Sequence, residues 1–554
     1  MCQTCAEYRP WDVICPYKSP EDQTGGDGGD ISSELPVYTY DQIADQLTTG
    51  FWGGNTYSFN TGSDGALTVD LAGLTQEGQE MARLALDAWS EVTGITFTEA
   101  VTTGPSGTVT EAADGGAGTS ATYAMSVGQD FDGTLGSIGD RDSVAITLSA
   151  GDRITISLSG DESGGNAAGD VALSLLNASG VVLQTSDDPY GTDGMIAFEV
   201  TTSGTYYIEA AGAGDAVTGD YTLSVRDIRS SSEITFDDAS SGAFAQFWAS
   251  GSTITRARIN IDDNWAGGQS RIDGYFYQTY LHEIGHALGL GHAGNYNGSA
   301  RYPTDALYAN DSWQASVMSY FYQTENSFID ANFAYAITPQ MADLIAVHDL
   351  YGAPEARTGD DVYGTGGTTG TYLDAATDLS NPVSYTVYDT GGVDTFDFSH
   401  HGGDQLMDLR EETFSNLDGL TGNIGIARGT TIEYGRTGGG NDVLIGNGAG
   451  NGLTSGAGAD TLDGGAGNDA LDAGAGLDLV SGGDGFDLIT GGDGADVLDG
   501  GDGGDLLFGE GVTLEELIEL FPSWTPPAEA ADLMAEGDLL AIWEDIVADV
   551  FAIA

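Results

Sequence analysis

From Thr437 to Phe508 the sequence repeats itself every nine residues, and that repeat restricts the fold more than any other feature. Asp442, Asp460, Asp469, Asp478, Asp487, Asp496 and Asp505 occupy the sixth place of the period, which Asn451 takes once. Two residues later stand Leu444, Leu453, Leu462, Leu471, Val480, Ile489, Leu498 and Leu507, and glycines fill the turn before each Asp or Asn. A glycine-rich linker has no reason to keep such a phase. A coil built of six-residue turns and three-residue strands does, because its apolar residues stack on those of neighbouring turns. Glycine lets the turn bend and aim carbonyls at a cation, and Asp supplies the hard oxygen that Ca²⁺ prefers. The expectation is a parallel β-roll whose seven aspartates hold calcium, with a weak or missing site at Asn451. Without the ion the carboxylates repel and so thin a core does not offset chain entropy, so the calcium-free roll should unfold.

The composition agrees with this. The chain has 554 residues, of which 85 are glycine, and a formal net charge of -70. Phosphates would be repelled, which argues against nucleic acid as a partner. Calcium would neutralise some aspartates, and the remainder suits a medium where salt screens charge. The length calls for three or four domains. The three cysteines, Cys2, Cys5 and Cys15, stand in the first fifteen residues, so the folded body uses no disulfide. No stretch is long and apolar enough for stable membrane insertion. The N-terminus lacks the basic and apolar regions of a secretory signal peptide, so export would need another address.

Chemistry enters at His282 to His292, which read HEIGHALGLGH. His282 and His286 are four apart and share one helix face, so their imidazoles can grip one Zn²⁺. Glu283 can reach a water at the metal without occupying a coordination position. Gly289 allows a sharp turn through positive φ, and His292 returns as third ligand. That leaves the fourth position for water or substrate, as a catalytic zinc requires. Further on, Ser316-Val317-Met318-Ser319-Tyr320 supplies a Met-turn, and the two stretches together make the metzincin signature.

In these motifs, and from about residue 40 to 510, the chain resembles the serralysins, secreted bacterial zinc endopeptidases with a calcium-binding repeat domain. The resemblance implies that Met318 forms a floor under the zinc and that Tyr320 is a mobile zinc ligand that can stabilise an oxyanion. It implies extended polypeptide substrates, export by the type I secretion machinery, and room for a proteinaceous inhibitor. The family usually carries Pro and Asp after the third His, where this chain has Ala293 and Asn295. The stretches Arg357 to Asp361 and Asp389 to Phe398 resemble the serralysin junction, which binds further calcium; Asp389 and Asp394 are the matching carboxylates, with Glu433 as a third.

The expected fold class is α+β. A metzincin zinc-protease domain, residues 39–104 and 232–355, carries an inserted antiparallel β-sandwich at 105–231. A calcium-binding β-roll of nonapeptide repeats follows at 356–512. The insert is assigned from alternating runs such as Val144 to Leu148 and Arg153 to Leu158, and it resembles the bacterial pre-peptidase C-terminal domain. Residues 1–38 would be a propeptide. Residues 513–554 would be a helical secretion signal whose face includes Leu540, Trp543, Ile546, Val547, Val550 and Phe551, the alternative being a docking helix for the roll. Periodic apolar residues predict a helix from Thr75 to Thr93 that ends at Gly94, with a strand from Ile95 to Glu99 and another at Glu233 to Asp237. Residues 256–262 are expected to be the edge strand that pairs with substrate. Thr338 is expected to cap a helix that Gly352 closes. His348, His400 and His401 are expected to play no ligand role. The rival function is a catalytically silent calcium-dependent adhesin or surface-layer protein.

Overall fold

The computed structural model describes residues 35–521, except 63–64, 101–106, 113–114, 151, 161–170, 187–193, 213–217, 228–231 and 266–270, together with 524, 526–527, 530 and 539–546. Most of the expected propeptide, with its cysteines, and the tail beyond Ile546 lie outside the described residues.

The first layer is a sheet in the order Ser58–Phe59, Thr253–Ile261, Ile234–Asp237, Ala66–Gly73, Thr96–Glu99, all parallel. Ala243–Ser250 joins it antiparallel, on Thr253–Ile261. This corrects the expectation for residues 256–262. That strand is paired on both sides and lies inside the sheet, while among the described residues Ala243–Ser250 pairs with it alone. Alternating residues reveal which faces a strand presents, not where it falls in the strand order.

Four helices cover the sheet region: α1 (Tyr40–Asp45), α2 (Gln76–Thr93), α3 (Tyr275–Ala287) and α4 (Met341–Tyr351). The ends of α2 are set locally. The Thr75 side chain accepts from Gly78 N–H, and Gly94 closes the helix at φ 67°, a left-handed turn that glycine adopts without steric cost. Met81, Ala85, Ala88, Trp89 and Val92 of α2 are buried, and Trp89 Nε1–H donates to Leu281 O of α3 at 3.0 Å. Helix α4 starts later than expected. Gln340 is its cap, because the Asp343 carboxylate accepts Gln340 N–H at 2.8 Å, whereas Thr338 Oγ1 accepts Thr386 N–H at 2.9 Å instead. Gly352 closes it as expected.

The inserted region forms two five-stranded sheets. One runs Val182–Ser186, Val171–Leu176, Gly204–Gly212, Arg141–Leu148, Tyr123–Met125; the other runs Gly194–Glu199, Arg153–Gly160, Gly219–Asp227, Asp130–Leu135, Thr108–Thr110. Its core, which includes Phe131, Ile146, Ile156, Leu173, Ile208 and Leu223, is separate from that of the helices and first sheet.

Beyond α4 the chain is mainly short strands. Tyr434–Arg436, Gly452–Thr454, Ala470–Asp472, Leu488–Thr490 and Leu506–Phe508 pair in parallel, each with the strand two repeats on. Val443–Ile445, Thr461–Ala466, Leu479–Gly485 and Val497–Gly503 do the same in a second sheet. Leu444, Leu453, Leu462, Leu471, Val480 and Ile489 are buried between them. Leu507 departs from the inward expectation and is 43% exposed, because no further repeat stacks on it. Glycine is needed in the turns: a Cβ on Gly458 would overlap the Gly440 carbonyl oxygen of the neighbouring coil.

The described part of the tail contains helices Leu514–Leu520 and Leu539–Ile546. Leu540, Trp543 and Ile546 pack with Ala470 and Leu488 of the repeats, and Trp543 Nε1–H donates to Phe486 O at 2.6 Å. In this structure the described helix Leu539–Ile546 is therefore docked on the repeats. Among the described residues, no helix is long and apolar enough to cross a membrane.

Candidate metal centre

Helix α3 places His282 and His286 one turn apart, and the chain then reverses at Gly289 with φ 104°, where a Cβ would overlap the Tyr57 carbonyl oxygen. This reversal returns His292. The three imidazoles converge, their ligand atoms all within 4.8 Å of one another, with His286 Nε2 and His292 Nε2 3.0 Å apart.

Backbone carbonyls hold each ring from behind. Nδ1 of His282 lies 2.8 Å from Val317 O, that of His286 2.8 Å from Leu290 O, and that of His292 2.9 Å from Tyr296 O. A carbonyl only accepts, so each Nδ1 carries the proton and each Nε2 lone pair faces the centre. Burial holds His282 and His292 well below the usual imidazole range and brings His286 down to about 4, so the rings are neutral, as metal ligands must be. Three neutral imidazoles with inward lone pairs fit a zinc ion.

Glu283 is fully buried beside them, and neither of its carboxylate oxygens makes a hydrogen bond of ordinary geometry. Burial raises its pKa well above the usual carboxylate range, opposed only in part by the Ala245 backbone on the edge strand. An isolated buried carboxylate is costly, so a structural role alone does not account for it.

Met318 underlies the site. A Cβ added to Gly285 would stand 2.6 Å from Met318 Sδ and 3.2 Å from Trp89 Cζ2, so Gly285 is the gap into which the thioether fits. Asp343, which sequence reading did not single out, ties the Met-turn to α4. It accepts from Ser316 Oγ at 2.6 Å, Val317 N–H at 2.8 Å and Gln340 N–H at 2.8 Å. The Tyr320 ring centroid is 4.5 Å from that of His292, and its Oη accepts Gly298 N–H at 3.3 Å. Of the two departures from the family pattern, Asn295 accepts from Gln46 Nε2 at 3.2 Å and Ala293 N–H donates to Met318 O at 3.2 Å.

Comparison with known proteins bears on the same residues. Residues 196–326 match the matrixin family of M10 peptidases, residues 353–499 the serralysin C-terminal family, and residues 140–212 the bacterial pre-peptidase C-terminal domain. Serralysin C of Dickeya chrysanthemi is 48% identical over 174 residues, covering 31% of this chain and 36% of that protein. Serralysin of Photorhabdus laumondii is 44% identical, covering 33% and 39%, and metalloprotease AprA of Pseudomonas entomophila is 45% identical, covering 32% and 38%. In these stretches the chain is similar to the serralysin-like M10 metalloproteases. Its matches span less than two fifths of the length of these relatives.

The serralysin-like repeats also carry ordered carboxylates. From Asp460 on, each repeat Asp accepts at Oδ1 a backbone N–H from two repeats behind, as in Asp442 N–H to Asp460 Oδ1 at 2.8 Å and Asp469 N–H to Asp487 Oδ1 at 2.9 Å, while Asp442 Oδ1 accepts Gln405 N–H at 2.8 Å. Asp478 and Asp487 receive Asp496 and Asp505 in the same way, at 3.1 and 3.2 Å. Oδ2 of Asp442, Asp460, Asp469, Asp478 and Asp487 is buried without a hydrogen-bond partner. A row of buried, unpartnered carboxylate oxygens fits a hard cation. Asn451 interrupts it, because its Nδ2 donates to Ile432 O at 3.2 Å and Glu433 O at 3.1 Å.

At the junction, the structure gathers Asp361 with Asp389 and Asp394, their ligand atoms within 4.8 Å of one another. Asp361 replaces Glu433 as the third member of the expected set: Glu433 Oε2 accepts Asp394 N–H at 2.8 Å and so acts as a rung of the backbone ladder. Asp394 Oδ2 is buried and has no hydrogen-bond partner, which fits a cation there too. Asp360 and Asp361 stand together in the sequence, and only folding brings one of them to the cluster. His348 packs against Tyr388 with ring centroids 5.0 Å apart, exposed His400 pairs with Asp418 at 3.1 Å, and neither these nor His401 joins a cluster among the described residues.

Proposed function

We propose that this chain is a secreted zinc-dependent endopeptidase of the serralysin type, stabilised by calcium, with Glu283 as general base. The observation that carries the reading is the convergence of three imidazoles, each fixed by a backbone carbonyl, beside a fully buried carboxylate.

His282, His286 and His292 would hold the zinc, with Tyr320 as a further candidate ligand beside His292. Bound zinc supplies a polarised carbonyl and a water of pKa near ~7. Glu283 then takes a proton from the attacking water and passes it to the leaving amine, a transfer favoured by a carboxyl whose pKa burial has raised. Tyr320 Oη, once off Gly298 N–H, donates to the developing oxyanion. An extended polypeptide would add to the free edge of Ala243–Ser250 by backbone hydrogen bonds.

In this reading the inserted sheets are a β-sandwich of pre-peptidase C-terminal type, and the parallel ladders are a β-roll. The roll would bind calcium through Asp442, Asp460, Asp469, Asp478, Asp487, Asp496 and Asp505, and the junction through Asp361, Asp389 and Asp394. The domain limits are those expected from the sequence, and residues 513–554, whose described helix docks on the repeats, would also carry the type I export signal. The test is casein hydrolysis by the purified, calcium-loaded chain with and without a zinc chelator. Cleavage that persists after zinc is stripped would overturn the zinc dependence, and no cleavage by zinc-loaded protein would favour the adhesin reading.

A further inference from the structure

Behind the third histidine and the Met-turn lies a carboxylate that the peptidase reading has not used. Asp311 is fully buried, and its two oxygens take hydrogen bonds from both walls of the site. Tyr296 Oη–H lies 3.1 Å from each oxygen, and Ser319 Oγ–H donates to Oδ1 at 2.6 Å. Each donor is one step from a residue assigned to the chemistry. Tyr296 supplies the carbonyl that holds His292 Nδ1 at 2.9 Å, and its hydroxyl also accepts Tyr320 N–H at 3.4 Å. Ser319 adjoins Tyr320 in sequence, and its hydroxyl accepts Phe321 N–H at 3.1 Å. The Asp311 backbone is fixed in turn, its carbonyl accepting Asn326 Nδ2 at 2.7 Å.

We infer that Asp311 is a positioning residue that fixes the His292 imidazole and Tyr320 relative to each other, acting through the hydroxyls of Tyr296 and Ser319. The inference rests on the reading of His292 as a zinc ligand and Tyr320 as the oxyanion donor. A side chain needed only to fill space would not have to be a carboxylate. Two hydroxyl donors converge on this one, and a carboxyl group has the acceptor sites to take both. Because these hydrogen bonds are directional, they set the azimuth of the Tyr296 ring. With the ring fixed, so is the backbone carbonyl behind His292. Asparagine in this place keeps one acceptor oxygen and turns N–H groups toward the remaining donor.

The test uses the full calcium-loaded chain with cobalt(II) in place of zinc, comparing wild type with Asp311→Asn, Asp311→Ala, Tyr296→Phe and the double variant D311N/Y296F. Removing partners one shell outside a metal site weakens metal binding by roughly 10–100-fold, and because Asp311 acts through Tyr296 and Ser319, D311A is expected to lose about 10-fold, near the bottom of that range. D311N and Y296F should lose less, with an altered cobalt absorption spectrum and a lower kcat at unchanged KM. The double variant should be no worse than D311N, because both changes cut the same path. If D311A does not fold, Y296F carries the test, since it removes a single oxygen and leaves the Tyr296 carbonyl in place. Variants that melt like wild type and bind cobalt with unchanged affinity and spectrum would overturn the inference, as would losses that multiply in the double variant. A wild-type chain that takes up no cobalt and cleaves no peptide would instead remove the peptidase reading itself.

Discussion

The Met318 thioether occupies the space that a side chain on Gly285 would need, 2.6 Å from where its Cβ would stand. Gly285 sits between Glu283 and His286, so the metal-facing helix and the Met-turn meet at the one position of α3 that has no side chain. Gly285→Ala should therefore cost about 1–3 kcal/mol by overpacking and move His286. Thermal melting with calcium present, together with zinc content after dialysis, would measure both. A variant as stable and as zinc-loaded as wild type would show that the Met-turn yields without consequence.

Glu283 gives a sharper contrast between stability and activity. Glu283→Gln removes the proton acceptor but keeps the shape, and it relieves a buried carboxylate that lacks hydrogen bonds. The variant should bind zinc, melt no lower than wild type, and lose about 10²–10⁴-fold in kcat. Peptidase assays beside metal analysis would check this, and near-normal turnover would reassign the base.

A pH dependence is built in at the start of α2. Asp238 accepts Thr75 N–H at 3.0 Å and Asp263 accepts Thr75 Oγ–H at 2.7 Å, so one residue draws two carboxylates together. Burial, and then the charge of Asp263, pushes Asp238 up to about 7. Its folded pKa lies above the unfolded value near ~3.9. The unfolded chain therefore ionises first, and the stability present at pH 4 is lost as pH rises through about 7. Asp263→Asn should recover part of it at pH 8, a rise of roughly 2–4 °C in Tm for about 1 kcal/mol, and nothing at pH 4. Equal gains at both pH values would refute the coupling.

Asn451 predicts the opposite response to calcium in the repeats. Its Nδ2 now donates to the Ile432 and Glu433 carbonyls. Asn451→Asp would set a charged oxygen against those carbonyls, so the calcium-free chain should lose about 1–3 kcal/mol, while the calcium-loaded chain should gain an ion. Calorimetric titration and circular dichroism with and without chelator would read both. A variant with unchanged calcium stoichiometry would place the site elsewhere.

Much of this molecule was written in local sequence. Thr75 and Gly94 cap α2 with their own atoms, the spacing of His282 and His286 is fixed by one helical turn, and the repeat period sets which residue stacks on which. These features depend on neighbours in the chain, and neighbours are what a sequence displays.

Tertiary structure decided the rest. The rank of residues 256–262 within the sheet, the choice of Gln340 over Thr338 as cap, the entry of Asp361 in place of Glu433, and the docking of helix Leu539–Ile546 on the repeats all depend on segments distant in sequence. So does the grip of Asp311 on both Tyr296 and Ser319. A carboxylate finds its donors, and a strand its position, only when the whole chain has closed around them. The free energies that choose among such pairings come from burial and long-range hydrogen bonds, which no stretch of neighbouring residues contains.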